Sequence, residues 1–81
     1  MENGIFYMQP YGKVALRLQE RLDACGMNRN QLAQRTGTRF EVIDKWCKGQ
    51  VERLDLDILA RICFVLQCRV EDLLVYRPES T

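Results

Sequence analysis

GMNRNQLAQRTGTRFEVIDKWCKG, residues 26–49, is the stretch whose reading decides the fold. It reads as a helix, a tight glycine turn and a second helix. The Asn28 side-chain oxygen is placed to accept from an early backbone N–H of the first of these helices, and Gln31, three residues on, completes a capping-box pattern. Leu32 and Ala33 lie on its inner side, and Ala33 is small where another helix would cross closely. Gly37 stands where the helix must stop, and only glycine enters the left-handed region there without a Cβ penalty. Thr38 is the expected cap of the next helix. That helix is expected to bury Val42, Ile43, Trp46 and Cys47, at spacings of one, three and four, and to show Phe40, Glu41, Asp44, Lys45 and Lys48 on its other side. A small residue, a turn glycine and an apolar pair at these offsets are what a helix-turn-helix needs to lay its second helix in a DNA groove.

Upstream, residues 13–25 read as an amphipathic helix with Val14, Leu18, Leu22 and Cys25 in one stripe, Leu16 pointing the other way and Gly26 as the stop. Residues 1–12 read as an extended segment, with Ile5 to Met8 favouring strand geometry and Pro10 and Gly12 as punctuation. Downstream, Gly49 ends the reading helix and a loop follows to Leu54. Asp55 caps a helix to about Leu66 that buries Ile58, Leu59, Ile62, Val65 and Leu66, leaving Phe64 off the stripe. Val70 to Leu74 form a short last helix with Glu71 and Asp72 in its first turn. Val75 and Tyr76 are expected to extend as a strand, with Ile5 to Met8 as its candidate partner. The division is therefore a segment 1–12, a helix-turn-helix domain 13–76 and a frayed tail 77–81.

At 81 residues the core is thin and stability modest. A composition 47% hydrophobic and 28% charged is that of an ordinary folded soluble protein. No apolar run reaches the length of a membrane span, and the opening residues, with Glu2 and no basic start, do not resemble a signal peptide. The net charge of +1 is unevenly spread: Arg29, Arg35, Arg39, Lys45, Lys48 and Arg53 make the middle mildly basic, and the end is mildly acidic. Cys25, Cys47, Cys63 and Cys68 form no C-x-x-C pair, and there is no histidine, so no metal site is expected. Cys47 and Cys63 fall on apolar faces, where a free thiol is a small hydrophobe; reduced thiols imply a cytoplasmic protein. Without histidine, with Ser80 in the tail and without a glycine phosphate cradle, no catalytic constellation exists. Neither an enzyme nor a cofactor or small-molecule ligand is expected.

With these residues laid out, the chain resembles the Cro/phage-repressor, or xenobiotic-response-element, family of helix-turn-helix regulators, in its small single-domain bacterial form. The resemblance covers about residues 13–76. It rests on Gly26-Met27, Leu32-Ala33, Thr36-Gly37, Ile43 and Gly49, then Asp55-Leu56-Asp57-x-Leu59-x-x-Ile62, Leu66 and Glu71-Asp72-Leu73-Leu74. It implies an all-α, five-helix, lambda-repressor-like DNA-binding domain, preceded here by a short extended segment, whose third helix enters the major groove. The family often carries glutamine at the start of the second helix, in support of a phosphate contact; Arg29 stands there and reaches phosphate as well. Phe40, Glu41 and Asp44 occupy reading positions that often hold serine, threonine, arginine or glutamine.

The expected partner is double-stranded DNA, with residues 39–48 as the recognition helix. Arg29, Arg39, Lys45, Lys48 and Arg53 are candidates for phosphate, Phe40 for thymine methyls, and Glu41 and Asp44 for cytosine N4 amines. Trp46 reads as core with its indole N–H at the rim. Leu16, Phe64 and the Ile5 to Tyr7 stretch are apolar where an isolated bundle would be polar. The N-terminal segment folds over its own domain, or these surfaces build a homodimer; the dimer is preferred because two-fold pairing on half-sites raises affinity. The competing class is a protein-interaction module, antitoxin-like or an adaptor subunit, in which the acids of the reading face meet a basic partner.

Overall fold

The computed structural model describes residues 10–79. The capping box at Asn28 forms as the sequence requires: its side-chain oxygen accepts from Gln31 N–H at 2.8 Å, and Gln31 Oε1 accepts from Asn28 N–H at 2.9 Å. It opens a helix, Arg29–Thr36, here α2. Before it lies α1, Leu18–Cys25, and after it α3, Phe40–Cys47. Asp55 caps α4, Leu56–Leu66, by accepting from Asp57 N–H at 2.9 Å and Ile58 N–H at 3.2 Å. α5, Val70–Leu73, starts where Arg69 N–H donates to Asp72 at 2.9 Å. The expected helices thus stand in the expected order.

The sequence reading goes astray at residues 13–16. These form a strand, β1 (Lys13–Leu16), and not the first turn of the helix expected over 13–25. β1 pairs antiparallel with β2, Leu74–Arg77, in the register Lys13 with Arg77, Val14 with Tyr76, Ala15 with Val75 and Leu16 with Leu74. The stretch Lys13-Val-Ala-Leu16 suits a helix on its own. It extends because Val75 and Tyr76 offer a β-branched and aromatic partner that satisfies its backbone groups. Gly12 makes this closure feasible: a Cβ on it would fall 1.8 Å from the Arg77 carbonyl oxygen. The strand expected at Val75 and Tyr76 is present with β1 as its partner; Ile5 to Met8, its expected neighbour, lie outside the described residues, as does the rest of segment 1–9. The helical stripe is shortened accordingly. Leu18 and Leu22 are buried, Val14 and Cys25 are exposed, and Leu16 is half-buried against the core.

The core is formed by Leu18, Leu22, Leu32, Ala33, Ile43, Trp46, Leu59, Ile62 and Leu73, with every described helix contributing. Cys47, Cys63 and Cys68 pack at its edge as free thiols. Burial pushes the thiols of Cys47 and Cys68 up, which keeps them protonated and poorly nucleophilic. No described helix is long and apolar enough to cross a membrane.

Candidate nucleic-acid interface

The turn between α2 and α3 is built from the backbone outward. Gly37 takes φ 69° and ψ 29°, the left-handed conformation, and its N–H donates to the Ala33 and Gln34 carbonyls in the last turn of α2. Thr38 N–H donates to Ala33 O at 3.0 Å. The expectation that Thr38 caps α3 fails. Its hydroxyl pairs with the Thr36 hydroxyl at 2.7 Å, because Thr36 is buried at the end of α2 and its hydroxyl also reaches Leu32 O at 2.8 Å. Arg39 is the residue before α3, and its side chain makes no capping bond. From α4, Arg61 donates to Thr36 O at 3.2 Å, so the turn is held from both sides.

α3 divides cleanly into two faces. Ile43 and Trp46 are buried, with Val42 and Cys47 half-buried beside them. Arg39, Phe40, Glu41 and Lys45 are exposed, Phe40 by 42%. Arg39, Glu41, Lys45 and Arg53 make no ion pair among the described residues. Arg53 sits in the exposed loop that follows α3.

Arg29, Asp44 and Lys48 behave differently. The Arg29 guanidinium lies 2.5 Å from Asp44 Oδ1, and the Lys48 ammonium lies 2.9 Å from Asp44 Oδ2. The carboxylate therefore sits between two cations on the edge of α3. The hydrogen bond from Lys48, and after it that from Arg29, hold its carboxyl below the ordinary carboxylate range. Arg29 is fixed from behind as well: its Nε donates to Gln19 Oε1 at 2.8 Å, and Gln19 Nε2 donates to Asp23 at 2.8 Å. A polar chain thus runs from α1 through α2 to α3, ending at Lys48.

The Cro/C1-type helix-turn-helix DNA-binding domain, as a family, matches residues 17–79 of this chain. The chain belongs to that family. Among solved structures, this Cro/C1-type domain resembles the transcriptional regulator VanUg at 28% identity, with a TM-score of 0.68, covering 98% of this chain and 100% of that one. It also shares its fold with a candidate DNA-binding protein from Bacteroides fragilis at 21% identity, with a TM-score of 0.70, covering 78% of this chain and 100% of the other. No curated protein matches it.

Within the Cro/C1-type frame, four of the eight residues singled out from the sequence, Arg39, Phe40, Glu41 and Lys45, share the exposed side of α3. Arg53 follows in the loop, and Arg29, Asp44 and Lys48 gather into one ionic cluster. Sequence reasoning missed Gln19 and Asp23, which orient Arg29, and Arg61, which ties the turn to α4. No local pattern announces these. Gln19 and Arg29 are separated by 10 positions and Arg61 and Thr36 by 25, and only the packing of the helices brings them together.

Proposed function

We propose that this chain is a cytoplasmic, sequence-specific transcription regulator that binds duplex DNA as a homodimer, with α3 in the major groove. The observation that carries this reading is the two-faced α3. Ile43 and Trp46 anchor it in the core while Arg39, Phe40, Glu41 and Lys45 are exposed on the far side, in a domain of a DNA-binding family. The regulator's name borne by the similar VanUg structure points the same way.

In this reading Arg39, Lys45 and Arg53 meet phosphates, and the Arg29–Asp44–Lys48 cluster, with its net charge of +1, supplies one more such contact at the edge of the helix, since most protein–DNA hydrogen bonds go to the backbone. The first backbone N–H groups of α3 carry no side-chain cap, which leaves them for a phosphate oxygen. Phe40 offers an apolar contact to thymine methyls, and Glu41 an acceptor for a cytosine N4 amine. Asp44 faces its own cations, and its charge is already answered. That supports DNA over a basic protein as the partner, because only Glu41 then remains as an unanswered acid on the described α3 face. Occupancy of an operator would block or recruit polymerase. Selection of bound duplexes from a random-sequence pool by the purified chain tests the proposal: enrichment of one motif, organised as two half-sites, is expected. A pool that stays random while a basic protein partner is retained would support the interaction-module alternative.

A further inference from the structure

We infer that a second copy of this chain docks on the outer face of α4, through Leu56, Ala60 and Phe64. The inference rests on the homodimer reading above and names its surface. Leu56 is 73% exposed and Phe64 is 76% exposed, and Ala60 between them is exposed too. Spacings of four place the three in one row along α4, while Leu59 and Ile62 face the core. The two most exposed large apolar side chains of the described residues therefore flank a small one. None of the three belongs to the reading face of α3, and none is needed for the fold's own core.

The row is self-complementary. A two-fold axis at Ala60 lays a second α4 across the first in the opposite direction. Leu56 of each copy then meets Phe64 of the other, and the two alanines meet at the crossing. Alanine at the crossing lets the helix axes approach to the short end of the usual range of about 8–10 Å. The charged flank obeys the same symmetry. Asp57 and Arg61 stand one turn apart beside the row, their side chains 2.8 Å from each other. The two-fold axis brings Asp57 of one copy beside Arg61 of the other, so this flank sets opposite charges against each other. A second copy meets the row with the same order of large, small and large apolar side chains and with opposite charges on the flank. Leu16, another apolar candidate for a dimer surface, is committed to the β1–β2 pair and half-buried, and Ile5 to Tyr7 lie outside the described residues.

The docking face also reaches the recognition turn. Arg61, on its flank, donates to Thr36 O, the last residue of α2 before Gly37. A row of three residues buries less than the roughly 1,600 Å² of a standard interface, so the association belongs in the micromolar range and is completed by the two half-sites of DNA.

Sedimentation of the full chain in reducing buffer at tens of micromolar tests the inference, using wild type, Leu56→Glu, Phe64→Lys, Ala60→Glu and an equal mixture of the first two variants. The altered side chains are exposed, and circular dichroism checks that each variant is folded. Wild type is expected to be a dimer, and each variant alone a monomer, with self-association weakened at least tenfold. The mixture is expected to recover a heterodimer, because the new carboxylate on one copy faces the new ammonium on the other while the second contact remains leucine on phenylalanine. An unfolded variant would not recover in the mixture, and Ala60→Glu tests the crossing independently. Wild type that stays a monomer would overturn the homodimer reading itself. Wild type that dimerises together with every variant would overturn this face alone. Monomeric variants whose mixture stays monomeric would overturn the antiparallel pairing of position 56 with position 64.

Discussion

Replacing Asp44 with asparagine separates two roles for the acid on the edge of α3. In the structure its carboxylate answers two cations, Arg29 and Lys48, so the cluster carries a formal charge of +1. Asparagine keeps the shape and one acceptor for Arg29, but removes the charge and frees Lys48, so the cluster rises to +2. Each phosphate neutralised by a freed cation steepens the dependence of log affinity on log salt by about 0.9. Between 50 and 200 mM salt, roughly a fourfold range, that amounts to an additional loss of about three- to fourfold, on top of a gain in affinity at the low-salt end. The gain should appear on every duplex, specific or not, because phosphate carries no sequence information. Fluorescence anisotropy with a selected duplex and a scrambled one, at four salt concentrations, reads both quantities. The reasoning is refuted if Asp44→Asn loses affinity on the selected duplex alone with an unchanged slope, since Asp44 would then contact a base. The same pairs make a signed pH prediction. The folded carboxyl is held below its ordinary range, so its contribution to stability is complete above the unfolded-state value and disappears as pH falls through the depressed one. Wild type should therefore lose more stability than Asp44→Asn on acidification through that window, measured as denaturant midpoints.

Three further outcomes are expected. Gly37→Val should cost about 1–2 kcal/mol or more in a denaturant melt through backbone strain at φ 69°, since a Cβ there meets nothing closer than the Arg61 guanidinium at 3.9 Å; an unchanged midpoint would sink the claim. Trp46→Ala should cost roughly 3–5 kcal/mol, because the side chain is only 4% exposed within the core; a loss under about 1 kcal/mol would mean that the indole does not anchor α3. Glu41→Gln should relax discrimination at one base pair by about 1–3 kcal/mol in a competition assay, whereas a uniform gain on all duplexes would exclude Glu41 as a base reader.

What the sequence disclosed and what it withheld follow from the range of the interactions. The Asn28–Gln31 capping box, the left-handed Gly37 and the Asp55 cap were legible because each is settled within a few residues. The faces of α3 were legible because burial of Ile43 and Trp46 follows the helical period. β1 was not, since Lys13 to Leu16 suit a helix locally and extend only against a strand some 60 residues away. Thr38 looked like a cap because nothing local says that the Thr36 hydroxyl, buried at the end of α2, takes its bond. The same limit hid the ionic cluster. Arg29 and Asp44 each appeared as a separate candidate for DNA, and the 15 positions between them concealed that they bind each other.

The central claim, that the exposed side of α3 and its cationic margin grip duplex DNA, is tested most directly by the affinity of the purified wild-type chain for a selected duplex as salt is raised. With about four phosphates neutralised per subunit, log affinity should fall against log salt with a slope of about −3 to −4. Arg39→Ala and Lys45→Ala should each make that slope shallower by about 0.9. No binding to any duplex at low salt, by a protein shown to be folded, would contradict the account.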